Sequence, residues 1–488
     1  MKKHRRSNQT CGSAMTSELA RICTEEKSQV QLQQSQPQQS VLQIKVYKRR
    51  WLMLGLYMFY AGLVCSQWIQ YSIVSNIIAK YYDVSMFLVD CTSMIFMLLY
   101  AIFIFPVTYL SEKIGLRWSI VLGSALCCLG SWIKTLSVSP DRFYLTLVGQ
   151  AVAAISLTIM LPLPGRVGAK WFGSDEISTA TSVGIFGSQL GISASFLLGP
   201  VIVKNHDNKD DIGSDLSVLS MSLAIAATIN LILCTLFFQE EPKLPPNETR
   251  ALQKTKHSQT NEEFIESMKR LFTNKSFLIL CNSYGLNVGT FNAISTMLNQ
   301  LFLIHFKNGE QSAGRIGLLL TLTGMFGSIT FGIILDKTHK FKLTTVIVYF
   351  LTFLGQIFFA VAIFMEVEWM VYASSIFLGF FMSGYLALGY EMAAEYTYPE
   401  SEAIPGGLLN ITNNIYGVIL ILVLEKVLEC YGDVLVHVIF CGVLLLGLIL
   451  TIMTKDEHRR QDAKKAAEYQ GIPQDEIRDK TKVEEGHV

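Results

Sequence analysis

The sequence is poor in charge. Only 16% of its 488 residues are Asp, Glu, Lys or Arg, while 51% are hydrophobic and the mean hydropathy is +0.37. Soluble domains average about 25% charged, and the charges here are segregated into tails and short loops. The long apolar segments hold no well-centred Asp, Glu, Lys or Arg; Asp90, Lys134, Glu391, Glu395 and Glu425 all sit toward segment ends. Proton-driven carriers use an intramembrane acid as a relay, so this lack predicts facilitated diffusion, or coupling to something other than a central carboxylate. The ten cysteines form no CxxC and no Cys/His cluster of metal-binding spacing. Neither a metal nor another cofactor is expected, and the cysteines within apolar segments read as small packing residues. No cleavable secretory signal is recognisable. Residues 1–45 are polar and carry a Gln-rich run from Gln29 to Gln39, the composition of a disordered tail. A catalytic constellation is also missing. Its nearest approach is Glu391, Glu395, Glu400 and Glu402, which are expected to pair with Arg166 and Lys170, so no enzyme is predicted. The lipid bilayer is an expected partner and nucleic acid is not.

Twelve apolar runs of about 20 residues are present, the length that crosses a bilayer as a helix. They fall at 51–79, 87–110, 118–137, 142–164, 177–203, 215–238, 277–306, 314–335, 343–365, 369–393, 406–428 and 434–453. The longest polar interruption lies between the sixth and seventh. The predicted organisation is a tail (1–45), a six-helix bundle (46–238), a linker (239–276), a second six-helix bundle (277–453) and a tail (454–488). The predicted fold class is thus an all-α membrane protein of twelve transmembrane helices in two pseudo-symmetric six-helix bundles. Basic residues set the orientation. Lys45, Lys48, Arg49 and Arg50 flank the first segment, and Lys113, Arg117, Arg166, Lys170, Lys337, Lys340, Lys342, Lys455, Arg459 and Arg460 follow on the same side. Both termini and the linker are predicted to be cytosolic, which leaves the triplet Asn247-Glu248-Thr249 unglycosylated.

The halves repeat one another. Glu112-Lys113-Ile114-Gly115-Leu116-Arg117 follows the second segment, and Asp336, Lys337, Lys340 and Lys342 follow the eighth. An acid followed closely by bases in a tight turn can pair across helix ends, so Glu112, Arg117, Asp336 and Lys340 are candidate gating residues. Paired copies of this turn resemble the loop motif of the major facilitator superfamily, whose halves are related by an axis along the membrane normal. The second copy departs from it, with His339 where the first has Gly115.

In the first segment Trp68, Tyr71, Ser72 and Ser75 share one helical face. In the seventh, Asn292, Ser295, Thr296 and Asn299 occupy the equivalent positions. Such stripes either glue helix to helix or line a cavity, and their matched positions favour the cavity. Gly187, Gly191, Ser195 and Gly199 make a small-residue seam on the fifth segment. Gln189 points about 200° away from Gly187, toward either a ligand or a neighbouring helix. Asn410, Asn413, Asn414 and Gly417 form a polar stripe on the eleventh. With no central counter-charge, a substrate is expected to be neutral or a cation held by ring faces. Trp68, Tyr71, Phe96 and Tyr100 could supply rings, though ordinary core packing is the favoured reading of the last two.

Several of these motifs resemble the feline leukaemia virus subgroup C receptor family: Val46-Tyr47-Lys48-Arg49-Arg50-Trp51, Gln67-Trp68-Ile69-Gln70-Tyr71-Ser72-Ile73, Gly187-Ser188-Gln189-Leu190-Gly191, Ser295-Thr296-Met297-Leu298-Asn299-Gln300 and Thr397-Tyr398-Pro399-Glu400-Ser401-Glu402. The likeness spans about residues 46–455. It implies transport of choline and ethanolamine, or export of haem, and a plasma-membrane location. It also implies a cage in which Trp68 and Gln189 match the family's Trp and Gln. Asn292 stands where choline-binding members have a Tyr, Asn414 where they have a Gln, and Phe96 where they have a Tyr. Loss of the ring at 292 implies weaker choline binding, or preference for an amine that donates hydrogen bonds. Haem would need an axial ligand, and none of the eight histidines is central. A non-transporting receptor or scaffold would not need two matched polar faces.

Overall fold

The structure is a computed structural model, in which the described residues are 45–173, 176–242, 244, 246, 261–338, 340–398, 403–455, 459 and 461. The expected tail up to residue 44, the glycosylation triplet, His339 and Glu400 with Glu402 lie outside them. Among the described residues every regular element is helical. Ten helices are long and apolar enough to cross a membrane. One of these, Met86–Leu136, is two helices joined at Gly115, whose φ of 83° lies in the left-handed region where glycine is favoured. Lys275–His305, at 31 residues, is long enough to cross as well. Together they make twelve crossings.

We number them α1 (Arg50–Tyr82), α2 (86–114), α3 (116–136), α4 (Phe143–Met160), α5 (Ile177–Ile202), α6 (Lys209–Phe237), α7 (Lys275–His305), α8 (Glu310–Thr338), α9 (Phe341–Phe364), α10 (Glu368–Thr397), α11 (Ala403–Tyr431) and α12 (Asp433–Met453). A short helix, Leu163–Trp171, continues α4, and another, Asn261–Thr273, precedes α7. An even number of crossings puts Arg50 and Met453 at the same end, called here the terminal end. The other is the far end.

Small residues let the helices of each half approach closely. A Cβ on Gly191 of α5 would stand 2.0 Å from the Gly62 carbonyl oxygen of α1. The counterpart pair in the second half repeats this, with a Cβ on Gly289 of α7 falling 3.0 Å from the Gly417 nitrogen of α11. Outward faces are apolar: α6 exposes Ile225, Ile229, Ile232 and Leu236, and α12 exposes Val438, Leu445, Ile449 and Ile452. Helix α7 is the reverse case. Every residue from Ser283 to Phe302 is buried, which explains how it tolerates so many amides and hydroxyls inside a membrane.

Helix α1 is broken. Its first part ends at Ile69 and a 3-10 turn, Ser72–Val74, links it to Ser75–Tyr82. No Gly or Pro causes this. Carbonyls beside the break are instead taken up by foreign side chains: Ser195 donates to Ser66 O at 2.6 Å, Gln150 to Gln67 O at 3.0 Å and Ser93 to Trp68 O at 2.8 Å. The continuous stripe expected from Trp68 to Ser75 is therefore split.

Candidate functional site at the bundle interface

At the far end the two halves are latched. Between α1 and α7, Asn299 Nδ2 donates to Ile73 O at 2.8 Å, and Ser75 Oγ donates to Asn299 Oδ1 at 3.1 Å. Glu310, at the start of α8, accepts from Asn76 at 2.9 Å and from Asn205 at 3.1 Å. Gln300 of α7 donates to Asp90 of α2 at 2.8 Å, and Glu425 of α11 lies against the same carboxyl. Between α5 and α8, Ser193 donates to Thr321 at 3.1 Å, and Phe196 covers Gly317. Apart from half-buried Asn76 and exposed Asn205, these groups are buried. Asp90 and Glu425 lie near helix ends, as read from the sequence, but neither faces solvent.

Immediately on the terminal side of these latches the facing side chains change character. Gln189 is one turn below Ser193 on α5, about 6 Å along the axis. It is half-buried, whereas Ser193 is buried. Asn292 is two turns below Asn299 on the same face of α7. It meets Gly417 of α11: a Cβ there would lie 3.4 Å from Asn292 Cβ, and also 3.0 Å from Met97 Sδ of α2. Asn414 is half-buried, with its amide donating to Asn410 O at 2.7 Å. Trp68 is half-buried and packs on a cluster of Phe96, Ala153 and Ala154. Its indole N–H, itself buried, has no hydrogen-bond partner among the described residues. A buried, unpaired donor is costly, and an incoming acceptor would relieve it. Trp68, Gln189, Asn292 and Asn414 thus all lie in the stratum on the terminal side of these latches, Asn292 buried and the other three half-buried. Met97 gave no signal in the sequence, being an apolar residue in an apolar run.

The remaining candidates go elsewhere. Phe96 is fully buried behind Trp68. Tyr100 faces Asn410 and Tyr390, and Asn410 Nδ2 donates to Tyr390 Oη at 2.6 Å, so α2 and α11 stay in contact to that depth. Tyr71 does not join the set. It is buried inside the first bundle, with the Lys134 ammonium 5.8 Å from its ring centroid and Ser220 and Tyr82 as neighbours. The break in α1 turns it there. Lys134 lies in the last turn of α3, as read from the sequence, but it is 1% exposed and enclosed among α1, α3 and α4.

The terminal-end turn also differs from expectation. Glu112 is exposed and does not pair with Arg117. The acid that holds the turn is Glu240, which accepts from the backbone N–H of Leu116 at 3.0 Å and of Arg117 at 2.7 Å, and pairs with Lys170. Burial pushes the Glu240 carboxyl up, but Lys170 and the two N–H groups outweigh it and hold it below the ordinary carboxylate range. The Arg117 guanidinium donates to Thr235 O at 3.2 Å and stands over Trp118. Lys170 is therefore not a partner of Glu391 or Glu395. Arg166 donates to Ser111 Oγ at 2.7 Å, and Glu395 accepts from the Gln461 N–H. Lys340 is exposed, and the Asp336 side chain lies outside the described set.

Residues 54–421 match the family description Major Facilitator Superfamily. The chain belongs to that superfamily. Within it, the chain is 42% identical over 425 residues to the choline/ethanolamine transporter flvcr2a of Danio rerio, covering 87% of this chain and 90% of the relative. It is 40% identical to the choline/ethanolamine transporter FLVCR2 of Homo sapiens, covering 86% and 80%, and 39% identical to FLVCR1 of Felis catus, covering 85% and 74%. Membership of the FLVCR family, the resemblance read from Trp68, Gln189 and their neighbours, follows. Among solved structures, a D-xylose-proton symporter superposes with TM-score 0.66 at 12% identity, covering 84% of this chain and 98% of that one. A bacterial homologue of the human lysosomal transporter Spinster gives 0.59 at 14%, covering 84% and 95%. These two share the fold. This facilitator-superfamily chain is a multi-pass membrane transporter and not an enzyme.

Proposed function

We propose that the chain is a facilitative carrier of choline- and ethanolamine-type amines that works by alternating access, with Trp68, Gln189, Asn292 and Asn414 contacting the substrate. The observation that carries this reading is that half-buried Trp68, Gln189 and Asn414 and buried Asn292 lie beneath the far-end latches, with the Trp68 indole N–H left unpaired among the described residues. The names of the relatives supply the substrate class. Trp68 offers a ring face to an ammonium group, an attraction of about 0.5–2 kcal/mol, and Phe96 backs it. Asn292 offers an amide where a ring would otherwise help to enclose methyl groups, which favours a primary ammonium with N–H donors over a quaternary one.

The basic flanks Lys48, Arg49, Arg50, Lys113, Arg117 and Lys170 support cytosolic termini, and with them a cytosolic terminal end and an external far end. On that orientation the far-end latches close the path to the outside. Residues 46–238 and 277–453 act as the two moving bundles, 239–276 as the cytosolic linker, and the plasma membrane is the proposed location. The second terminal-end turn, with Asp336 and Lys340, is proposed to brace the inward gate.

Haem is the weaker alternative. His206 pairs with Asp215, His305 with Asp433, and His437 lies among Phe359, Phe364 and Phe440, all toward the far end. None is in the stratum. Uptake of labelled choline, ethanolamine and haem by cells expressing the chain decides among them. The reading predicts saturable amine uptake that persists with no proton or sodium gradient. Haem movement without amine movement would overturn it.

A further inference from the structure

Lys134 of α3 occupies a site of the kind that binds a free cation. Its ammonium donates to three amide oxygens: Gln67 Oε1 at 2.7 Å, Gln150 Oε1 at 3.1 Å and Gln70 Oε1 at 3.3 Å. An ammonium has three N–H groups, all donors, and here all three meet oxygen. A neutral amine would turn its lone pair on one of them, so the arrangement fits the charged form. The Tyr71 ring adds a π-face at 5.8 Å. Among the described residues no carboxylate contacts the ammonium. Its charge is met by dipoles and a ring.

The ligands say what the site does. Gln67 and Gln70 stand on either side of Trp68 and reach up to the break in α1. Gln150 holds Gln67 twice, through the shared ammonium and by donating to the Gln67 carbonyl at 3.0 Å. The remaining amide group of Gln67 donates to Cys127 Sγ at 3.1 Å. Broken membrane helices expose polar groups that many carriers satisfy with a bound ion. In this chain a tethered ammonium from α3 takes that place.

We propose that Lys134 is a positioning residue, a resident cation that clamps the break in α1 and thereby fixes the Trp68 ring in the substrate site. The proposal rests on the reading of Trp68 as a substrate contact, and it gives a physical reason why transport need not draw on a sodium ion. Removing the charge leaves three buried amide oxygens without a donor. The break then relaxes, and Trp68 loses its fixed placement.

The test compares wild type and Lys134→Met, as full chains in cells, by labelled choline uptake and by alkylation of Cys127 with N-ethylmaleimide, read at the peptide level by mass spectrometry. Buried Cys281, in the other bundle, is the internal control. The KM for choline is expected to rise about fivefold or more, the mark of lost substrate binding, and Cys127 alkylation to rise relative to Cys281. A role confined to folding would lower only the maximal rate. Unchanged Cys127 alkylation overturns the clamp, and raised alkylation with unchanged KM overturns its link to Trp68. Should Lys134→Met fail to accumulate, Gln150→Leu is read in the same way, with the same direction expected and the same results overturning it. If wild type moves no amine, the substrate reading fails while Cys127 still decides the clamp.

Discussion

Asn299 of α7 grips the far half of α1 at two points, donating to the Ile73 carbonyl at 2.8 Å and accepting from the Ser75 hydroxyl at 3.1 Å. This pair joins residues that the internal repeat makes equivalent, Ser75 in the first half and Asn299 in the second. The two polar stripes thus meet directly at the far end.

Asn299→Leu removes both bonds, each worth about 0.5–1.5 kcal/mol. The balance should shift toward the far-end-open state by about tenfold. Thr296→Cys, one turn below, reports this through its labelling by a membrane-impermeant thiol reagent. Labelling is predicted to speed up in the double variant, and an unchanged rate would show that Asn299 holds nothing closed.

Glu240 gives a pH prediction. Its carboxyl is held below the ordinary value of 4.5 in the folded state, so its stabilisation is fully present above that value. It is lost as pH falls through the lower, folded-state value. Glu240→Gln should lower the melting temperature at pH 7, and the gap to wild type should close as pH falls through the folded-state value. A gap that persists in acid would mean that the charge is not what holds the loop.

The α1–α5 seam predicts that Gly191→Ala destabilises, because its methyl would meet Gly62 O at 2.0 Å. Overpacking of this kind costs about 1–3 kcal/mol. Gly442→Ala, with nothing within 4 Å of the added Cβ, should melt as wild type does. Equal melting of the two variants would contradict the seam.

Twelve crossings and the paired halves were legible because each rests on local signals, namely run length and spacing. The same spacing put Gln189 on the face opposite the Gly187 and Gly191 seam, and that face carries Ser193 to α8. The break in α1 was not legible. It has no Gly or Pro, and it exists because Ser93, Gln150 and Ser195, distant in the chain, supply hydrogen bonds to it. Tyr71 was misread for that reason, since a straight helix would have aimed it with Trp68. Lys134 was passed over because its partners are amides on other helices, which no spacing rule connects. Glu240 was likewise hidden, lying 123 residues from the Arg117 N–H it caps, while Glu112 stood nearby as a decoy.

Asn292→Tyr places a ring beside Gly417. Choline affinity is predicted to improve by about 2- to 30-fold, the range of one cation–π contact, with ethanolamine gaining less. Equilibrium binding to purified protein measures both. Unchanged or weaker choline binding would contradict the proposed amide-for-ring exchange.

The most direct measurement is concentration-dependent uptake by Trp68→Ala, normalised to surface expression and followed with labelled choline and ethanolamine. A KM at least tenfold higher, or loss of saturable uptake, is predicted for both amines, since the ring face and its buried N–H are both removed. Wild-type KM and maximal rate for both would contradict a substrate space that Trp68 lines.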